Sequence, residues 1–275
     1  MKRFIKFTLK IIIALAICLS LLNSIHSAAQ AQTEDTWILS QTISSGLAHT
    51  CGIRGDGTLT CWGRNDHGQA SPPPGTFTQI SVGQFHSCGL KNDGSIHCWG
   101  ADGYNQASPP PGIFTQISAG DGFNCAIRNN GTLACWGSND QEQLNHPTGT
   151  FTQVSADGNN TCAIRSDGTL ACWGDPGTIF NLNPVVDPPT GRFIQISVGF
   201  YYACGIRENG TMACWGTTSP GGTFTQISAG STHTCAVKVM GIYIAGAMIR
   251  IIKYLIPQLV KVMSRSPPGN TIIAR

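Results

Sequence analysis

The sequence predicts an all-β fold: a β-propeller of short, disulfide-stapled blades, with five complete repeats and a truncated sixth, and therefore an incomplete propeller. One unit occurs five times, in which a cysteine is followed after nine residues by a second cysteine and then by Trp-Gly. Successive first cysteines lie 37, 37, 37, 42 and 31 residues apart, counting the unit that opens at Cys235. Such a period indicates similar small sheets stacked side by side, and radial closure of the stack gives a propeller.

Each cysteine pair frames a predicted hairpin. The tripeptide at its centre ends in glycine, as in Gly55-Asp56-Gly57, and fits a type I turn closed by a left-handed residue. This turn places the cysteines opposite each other, at a Cα separation of about 4.5–5.5 Å that a disulfide can span. A metal site is not expected, because no Cys-x-x-Cys occurs. The predicted disulfides are Cys51–Cys61, Cys88–Cys98, Cys125–Cys135, Cys162–Cys172 and Cys204–Cys214, with Cys235 unpaired.

The same register predicts that both faces of each hairpin are covered. Ile53 opposes Leu59 on the face that carries the cystine, and Trp62 opposes the small Thr50 on the other face. Equivalent pairs recur in the later repeats. Proline-rich segments such as SPPPG separate the repeats, and proline lacks the N–H group that a sheet interior needs. We therefore expect extended crossings from one blade to the next.

Residues 1–31 are predicted to be a secretory signal peptide. Four Lys and Arg residues precede an apolar run at 11–22, and Ala29-Gln30-Ala31 is a small-x-small cleavage signal. A lipoprotein reading through Cys18 fits less well, because the apolar run continues past that residue. Export leads to an oxidising compartment, where disulfides persist. The mature chain is therefore expected to be secreted, extracellular or periplasmic, with no membrane span.

Residues 32–238, the predicted repeat domain, are acidic. They contain 8 Lys and Arg residues against 14 Asp and Glu residues, so the slightly basic balance of the whole chain comes from its two ends. This domain lacks the basic footprint of a nucleic-acid-binding protein. We expect no nucleic-acid partner.

Residues 239–275 do not resemble the repeats. They carry 5 basic residues and no acidic residue, and their apolar stretch is compatible with an amphipathic, membrane-seeking helix. A sharper hypothesis is a one-base slip near the codon of Lys238, because the shifted frame permits Cys-Trp-Gly to reappear at the expected place. The sixth repeat would then lack its last strand, and the chain as written could be a truncated pseudogene product.

The string CWGRNDHGQ at 61–69, together with the SxGxxHTC run before each hairpin, resembles the regulator of chromosome condensation (RCC1) repeat. The resemblance covers about residues 38–238. Its short period and exported context are closer to the secreted bacterial branch of β-lactamase inhibitory protein II. That branch implies propellers with about three strands per blade, and its named member binds a protein enzyme.

Later repeats depart from this motif, as CWGDPGTIF at 172–180 shows, so the resemblance transfers no particular partner. The nuclear family member is a nucleotide-exchange factor for a small GTPase and binds chromatin. The signal peptide and the acidic repeat domain argue against that role here.

The loops between the first and second strands of the blades are the best binding candidates. All blades point the same way, so these loops form a ring on one face, and their sequences vary while the scaffold does not. Exposed aromatic residues are common interface anchors. The candidates are Phe85, Phe200 and Tyr201. The position two residues before each first cysteine is expected to be half-buried and structural; it holds His49, His86, Phe123, Asn160, Tyr202 and His233.

The sequence therefore predicts a module that binds a protein, or a surface glycan, through one loop face. No catalytic constellation, cofactor motif or metal motif is present, so catalysis and cofactors are not expected. Arg54-Gly55-Asp56 spells an integrin-type tripeptide, yet sister hairpins vary freely there. One acid per turn is too few for calcium. The alternatives are a propeller hydrolase or lyase, which convergent carboxylates near the axis would favour, and a pseudogene product without function.

Overall fold

The structure, a computed structural model, describes residues 43–175, 177–178, 181–182, 184–238 and 241–246. These residues form six three-stranded antiparallel sheets, blades 1 to 6, and one two-stranded sheet. Strand order within each blade follows chain order. The predicted all-β propeller is therefore confirmed, whereas the predicted signal peptide lies outside the described residues. No helix in the described part of the chain is long and apolar enough to span a bilayer.

The strands of the first three blades are short. Blade 1 contains β1 (Ile43–Ser45), β2 (His49–Ile53) and β3 (Leu59–Gly63). Blade 2 contains β4 (Phe77–Val82), β5 (His86–Lys91) and β6 (Ile96–Gly100). Blade 3 contains β7 (Phe114–Ala119), β8 (Phe123–Arg128) and β9 (Leu133–Gly137).

The later blades follow the same plan with one insertion. Blade 4 contains β10 (Phe151–Asp157), β11 (Asn160–Arg165) and β12 (Leu170–Gly174). The insertion holds β13 (Gly177–Thr178), β14 (Asn181–Leu182) and a 3-10 helix (Pro184–Val186). Blade 5 contains β15 (Phe193–Val198), β16 (Ala203–Arg207) and β17 (Met212–Trp215). Blade 6 contains β18 (Phe224–Ala229), β19 (His233–Lys238) and β20 (Gly241–Gly246).

The register within the blades is the predicted one. In blade 1, Cys51 opposes Cys61, and Thr50 opposes Trp62. The five predicted disulfides are formed, with Cα separations of 4.0–4.1 Å, shorter than the sequence led us to expect. The turn glycines adopt φ values of +80° to +85°, which L-residues with a Cβ rarely accept. These glycines are Gly57, Gly94, Gly131, Gly168 and Gly210.

The core consists of the spaces between blades. The face of blade 1 that carries Cys51 and Ile53 packs against Phe77 and Trp99 of blade 2 in one buried cluster. Four further clusters repeat this arrangement along the chain. Because each cluster takes residues from two neighbouring blades, a single blade cannot bury its own apolar surface.

A tryptophan of each following blade is also hydrogen-bonded to the chain that links the blades. Trp99 donates its Nε1–H to the carbonyl oxygen of Gln69 at 2.9 Å. In blade 5 the link is rebuilt by the insertion, and Trp215 donates to the carbonyl oxygen of Val185 in the 3-10 helix at 3.0 Å. The insertion therefore preserves the one acceptor that the tryptophan needs.

Glutamine and serine side chains of each innermost strand form hydrogen bonds with the backbone of the innermost strand of the next blade. We call these contacts clasps. Gln79 accepts from the N–H of Ile117 at 3.0 Å and donates to its carbonyl oxygen at 3.1 Å. Ser81 accepts from the N–H of Ala119 at 2.9 Å. The other clasps are Gln116–Val154, Gln153–Ile196, Gln195–Ile227, Ser44–Val82, Ser118–Ala156, Ser155–Val198 and Ser197–Ala229. The recurrent phrase Phe-Thr-Gln-Ile-Ser thus encodes contacts between blades, a role that sequence reasoning did not assign.

The position two residues before each first cysteine is more buried than predicted. It is buried in blades 1 to 5 and exposed only in blade 6, at His233. His49 bonds Ser87 at 2.8 Å and His86 bonds Asn124 at 2.9 Å, each reaching into the next blade. These contacts explain the burial, because the side chains fill space between blades.

The two end blades each leave one face uncovered among the described residues. Trp62 of blade 1 is 52% exposed, whereas its equivalents in blades 2 to 5 are buried. In blade 6, Gln226 and Ser228, the equivalents of the clasping residues, are exposed, and Cys235 is a free, exposed cysteine. The incomplete propeller predicted from the truncated sixth repeat thus has two different open faces.

One expectation about blade 6 is wrong. We expected this repeat to lack its third strand, but β20 pairs with β19 along its whole length. Its sequence, GIYIAG, alternates β-branched and aromatic residues, which favour strands. The register places Ile244 opposite Cys235, where the other blades have a cysteine.

Replacing Gln116 by alanine tests the clasp. The N–H of Val154, which is buried, would lose its acceptor, and the free energy of unfolding should fall by about 1–3 kcal/mol. Gln226→Ala, at the equivalent exposed position of blade 6, should change it by less than about 0.5 kcal/mol. Urea denaturation followed by tryptophan fluorescence measures both. Equal losses in the two variants would contradict the clasp.

Candidate functional site

One end of the propeller, here called the loop face, combines two sets of loops. The first set joins the first and second strands of each blade, and the second set follows each third strand. The sets are hydrogen-bonded to each other: Arg64 donates its N–H to the carbonyl oxygen of Ala48 at 2.8 Å, and Ala101 donates to that of Phe85 at 2.9 Å. The predicted ring of loops on one face therefore has a second ring of segments attached to it.

The opposite end, here called the turn end, carries the hairpin turns. Asp56 accepts hydrogen bonds from both the hydroxyl and the N–H of Thr58, at 2.7 and 2.9 Å. Both bonds lower the pKa of Asp56 below its usual value, and the bond from the hydroxyl has the larger effect. Asn130 and Thr132 repeat the same contacts. Asp56, the acid of the integrin-type tripeptide, is thus a turn residue whose carboxylate already accepts hydrogen bonds within the turn.

A cavity of about 860 Å³ lies on the axis, where the innermost strands meet, and we call it the axial cavity. Its wall carries the clasping serines Ser81, Ser118, Ser155 and Ser197. At the loop face its lining includes Leu47, Gln84, Asp121 and Phe200. Concave pockets of this size are the usual kind of ligand site in proteins.

Two carboxylic acids line this cavity, and sequence reasoning did not single them out as a pair. Burial raises the pKa of Asp157 to about 6, with a further contribution from the nearby charge of Asp121. Burial also raises the pKa of Asp121. The loops that carry them are joined, because the N–H of Asp121 donates to the carbonyl oxygen of Gly158 at 2.9 Å.

The repeat pattern contained a signal for Asp157. It stands where the other repeats have glycine, and a Cβ on Gly120 would collide with the ring of Phe123, three residues onward. A Cβ on Gly83 would collide with the ring of His86, also three residues onward, and with the carbonyl oxygen of Gly120. Repeat 4 has the smaller Asn160 at that ring position. The two exchanges belong together, since the smaller side chain makes room for the acid.

Phe200 and Tyr201, two of the three predicted anchors, lie together on the loop face. Their rings contact edge to face, with centroids 4.4 Å apart. Tyr201 is 54% exposed, and Phe200 is half-buried and lines the axial cavity. Phe85 differs, because it is half-buried with Arg64 5.1 Å from its ring centroid and His67 packed on its edge. Binding by these residues stays a prediction.

Sequence reasoning missed one exposed aromatic residue of the loop face. Tyr104, in the segment after β6, is 57% exposed and lies beside Gly122 of the next blade. Among the described residues, no group of three or more His, Cys, Asp or Glu side chains could hold a metal ion.

Asp157 should make stability depend on pH. Its pKa is about 6 in the folded chain and about 3.9 in an unfolded one, so folding is favoured while it is protonated. This contribution is complete below about pH 4 and is lost as pH rises through 6. Asp121, His233 and Cys235 line the same cavity. Burial also raises the pKa of Asp121, so its protonation favours folding as well.

The variant Asp157→Asn should therefore gain about 1–2 kcal/mol of unfolding free energy over wild type at pH 7.5, and much less at pH 4. Denaturation at the two pH values measures this difference. A variant that is less stable than wild type at pH 7.5 would contradict the burial of an uncompensated acid.

A family model described as the regulator of chromosome condensation (RCC1) repeat matches four segments of the chain, residues 41–69, 77–106, 114–143 and 193–219. These segments contain strands of blades 1, 2, 3 and 5. A comparison with curated protein sequences finds no match.

Solved structures show the same fold. The ectodomain of the Arabidopsis thaliana receptor kinase ACR4 is 25% identical, with a TM-score of 0.63, and the match covers 74% of this chain and 78% of that one. The Physcomitrella patens receptor kinase CR4 ectodomain is 23% identical, with a TM-score of 0.66, over 76% of this chain and 64% of that one, so the match spans less than two thirds of that ectodomain chain.

The Saccharomyces cerevisiae protein Prp20p, described with its binding to Gsp1p and histones, is 16% identical, with a TM-score of 0.63, over 74% of this chain and 71% of that one. At that identity the likeness concerns the fold alone. The four matching segments show that this chain carries regulator of chromosome condensation (RCC1) repeats, and the solved structures share its fold.

Proposed function

We propose that this chain is an exported, disulfide-stapled propeller that binds a protein through its loop face. The observation that carries the proposal is the Phe200–Tyr201 pair. These two aromatic rings contact each other, Phe200 lines the axial cavity, and neither belongs to a core cluster of the described residues. Exposed tyrosine beside a cavity is the kind of anchor that dominates binding energy at protein interfaces.

Export is part of the proposal. Five disulfides join strands of the described blades, and such bonds persist in oxidising compartments. The two plant neighbours are ectodomains of receptor kinases. The signal-peptide pattern at 1–31 supports the same location. A placement in the secreted bacterial branch remains our prediction, as does a surface glycan in place of a protein ligand.

Capture with matched variants tests this function. The full chain would be immobilised and exposed to proteins from the surface and culture fluid of the source organism, and each captured protein would then be purified and titrated. Tyr201→Ser should weaken binding by about tenfold or more. Ile194→Thr is the control, because Ile194 is exposed near the turn end and sister repeats have threonine there.

The control should leave binding unchanged. Binding that survives Tyr201→Ser, or that is lost with Ile194→Thr, would contradict a role for the loop face. Binding of glycans alone, with the same dependence on Tyr201, would replace the protein ligand by a surface glycan.

A second candidate is a hydrolase or lyase, and one observation favours it. Asp121 and Asp157 converge in the axial cavity, and the raised pKa of Asp157 would suit a proton donor. Screening the chain against glycan and ester substrates, with Asp157→Asn as the inactive control, tests this candidate. Turnover that Asp157→Asn abolishes would establish it.

Residues 239–275 stay proposed as an out-of-frame tail. Sequencing the gene from the Lys238 codon onward decides the matter. We expect the shifted frame to continue with Cys-Trp-Gly repeats, which would make the natural protein longer. A stop codon in that frame would overturn the slip and leave the tail authentic.

A further inference from the structure

We propose that the partner of the loop face is basic and inserts a lysine or arginine side chain into the axial cavity, between Asp121, Asp157 and the ring of Phe200. This inference rests on the proposed function and adds the chemistry of the partner to it. It concerns the same face, but its failure can be observed separately.

The three groups surround one glycine. The carbonyl oxygen of Gly158 accepts from the N–H of Asp121, and its N–H donates to the carboxylate of Asp157 at 2.9 Å. Gly158 adopts φ +53°, and a Cβ built on it would lie 3.1 Å from Cδ2 of Phe200. Two carboxylates and an aromatic ring therefore meet at the cavity wall.

Among the described residues, no basic side chain other than His233 lines the cavity beside these acids. Its lining contains Asp121 and Asp157 but no lysine or arginine, and the remaining residues are mostly serine, glycine, alanine and valine. Burial of a carboxylate without a cation is unfavourable, and a lysine or arginine at about 4 Å would favour the charged form. Phe200 would add a cation–π contact. The volume of about 860 Å³ easily holds one such side chain.

The wider charge distribution also favours a basic partner, because charge is separated along the axis. The described loop-face segments contain one basic residue, Arg64, and it is paired with Asp66. At the turn end, basic side chains lie over the rings of the phenylalanine residues with which the innermost strands begin. The acids of the loop face are Asp66, Asp102, Asp121, Asp140, Glu142, Asp157 and Asp175. The stacked bases of the turn end are Lys91, Arg128, Arg165 and Arg207.

An acidic face with a negatively lined opening steers cationic ligands and repels anionic ones. A metal ion fits less well than a basic side chain, since the described residues contain no group of three or more His, Cys, Asp or Glu side chains that could hold one. A protein that delivers such a side chain can also contact Tyr201, which is exposed and packs on Phe200. The geometry therefore points to a protein that presents a protruding basic residue.

The test uses a deca-lysine peptide as the probe and deca-serine as its neutral counterpart. Titrations with the full chain at about 0.15 M salt should show binding of deca-lysine alone. The double variant Asp121→Asn/Asp157→Asn should weaken that binding by about tenfold or more. Both exchanges remove buried charge, so folding is expected to persist, and circular dichroism would verify it.

Two matched controls separate the cavity from the general surface charge. Asp93→Asn/Asp167→Asn removes two charges at the turn end, where Asn130 and Asn209 already stand in sister turns. Asp102→Asn removes one charge on the loop face outside the cavity. Asn65 and Asn139 hold its position in sister repeats and accept the same backbone hydrogen bond. Both controls should change binding by less than about threefold.

Two results would overturn the inference: no binding of deca-lysine, or a loss in the controls as large as in the cavity variant. Either result leaves the proposed function standing if the captured partner still depends on Tyr201. If the captured partner binds the Tyr201→Ser variant as tightly as wild type, the proposed function is contradicted, whether or not deca-lysine binds.

Discussion

The structure depends on contacts that only a neighbouring blade can complete. The side chains of Gln79 and Ser81 find their backbone partners in blade 3, and the tryptophan of each following blade finds its acceptor in the link before it. The glutamine and serine partners are 38 residues apart, 43 across the insertion and 32 across the shorter link before blade 6. Each tryptophan lies 30 residues after its acceptor. The contacts therefore require the same partner groups in each blade and not one fixed period, and the insertion is accepted because Val185 restores the lost acceptor.

Much of the fold followed from local chemistry visible in the sequence. A glycine at the left-handed position of each turn determines the register, and the register brings each pair of cysteines together. The contacts between blades could not be predicted in the same way. In the sequence, Gln79 and Ser81 do not differ from ordinary polar strand residues, because their partners are backbone groups of a strand in another sheet. The strand β20 was missed for another reason, since its sequence lacks the repeat pattern although its β-branched and aromatic residues favour a strand.

The candidate site was predicted only in part. Variable loops on one face indicated Phe200 and Tyr201, which the structure places together, and Phe85, which lies under Arg64. The acids were overlooked because the meaning of Asp157 depends on a second exchange, at Asn160, that removes a ring from the space it occupies. A single repeat cannot reveal such a pair. The pair becomes visible when the repeats are aligned and the packing at each position is known.

We propose that the loop face, and not the turn end or the open end faces, contacts the partner. Hydrogen exchange of the full chain, measured with and without the purified partner, tests it most directly. We predict protection of the amides at 120–122, 158–159 and 199–202, with unchanged exchange in the hairpin turns. Protection confined to the turns, or to the exposed faces of blades 1 and 6, would contradict the account.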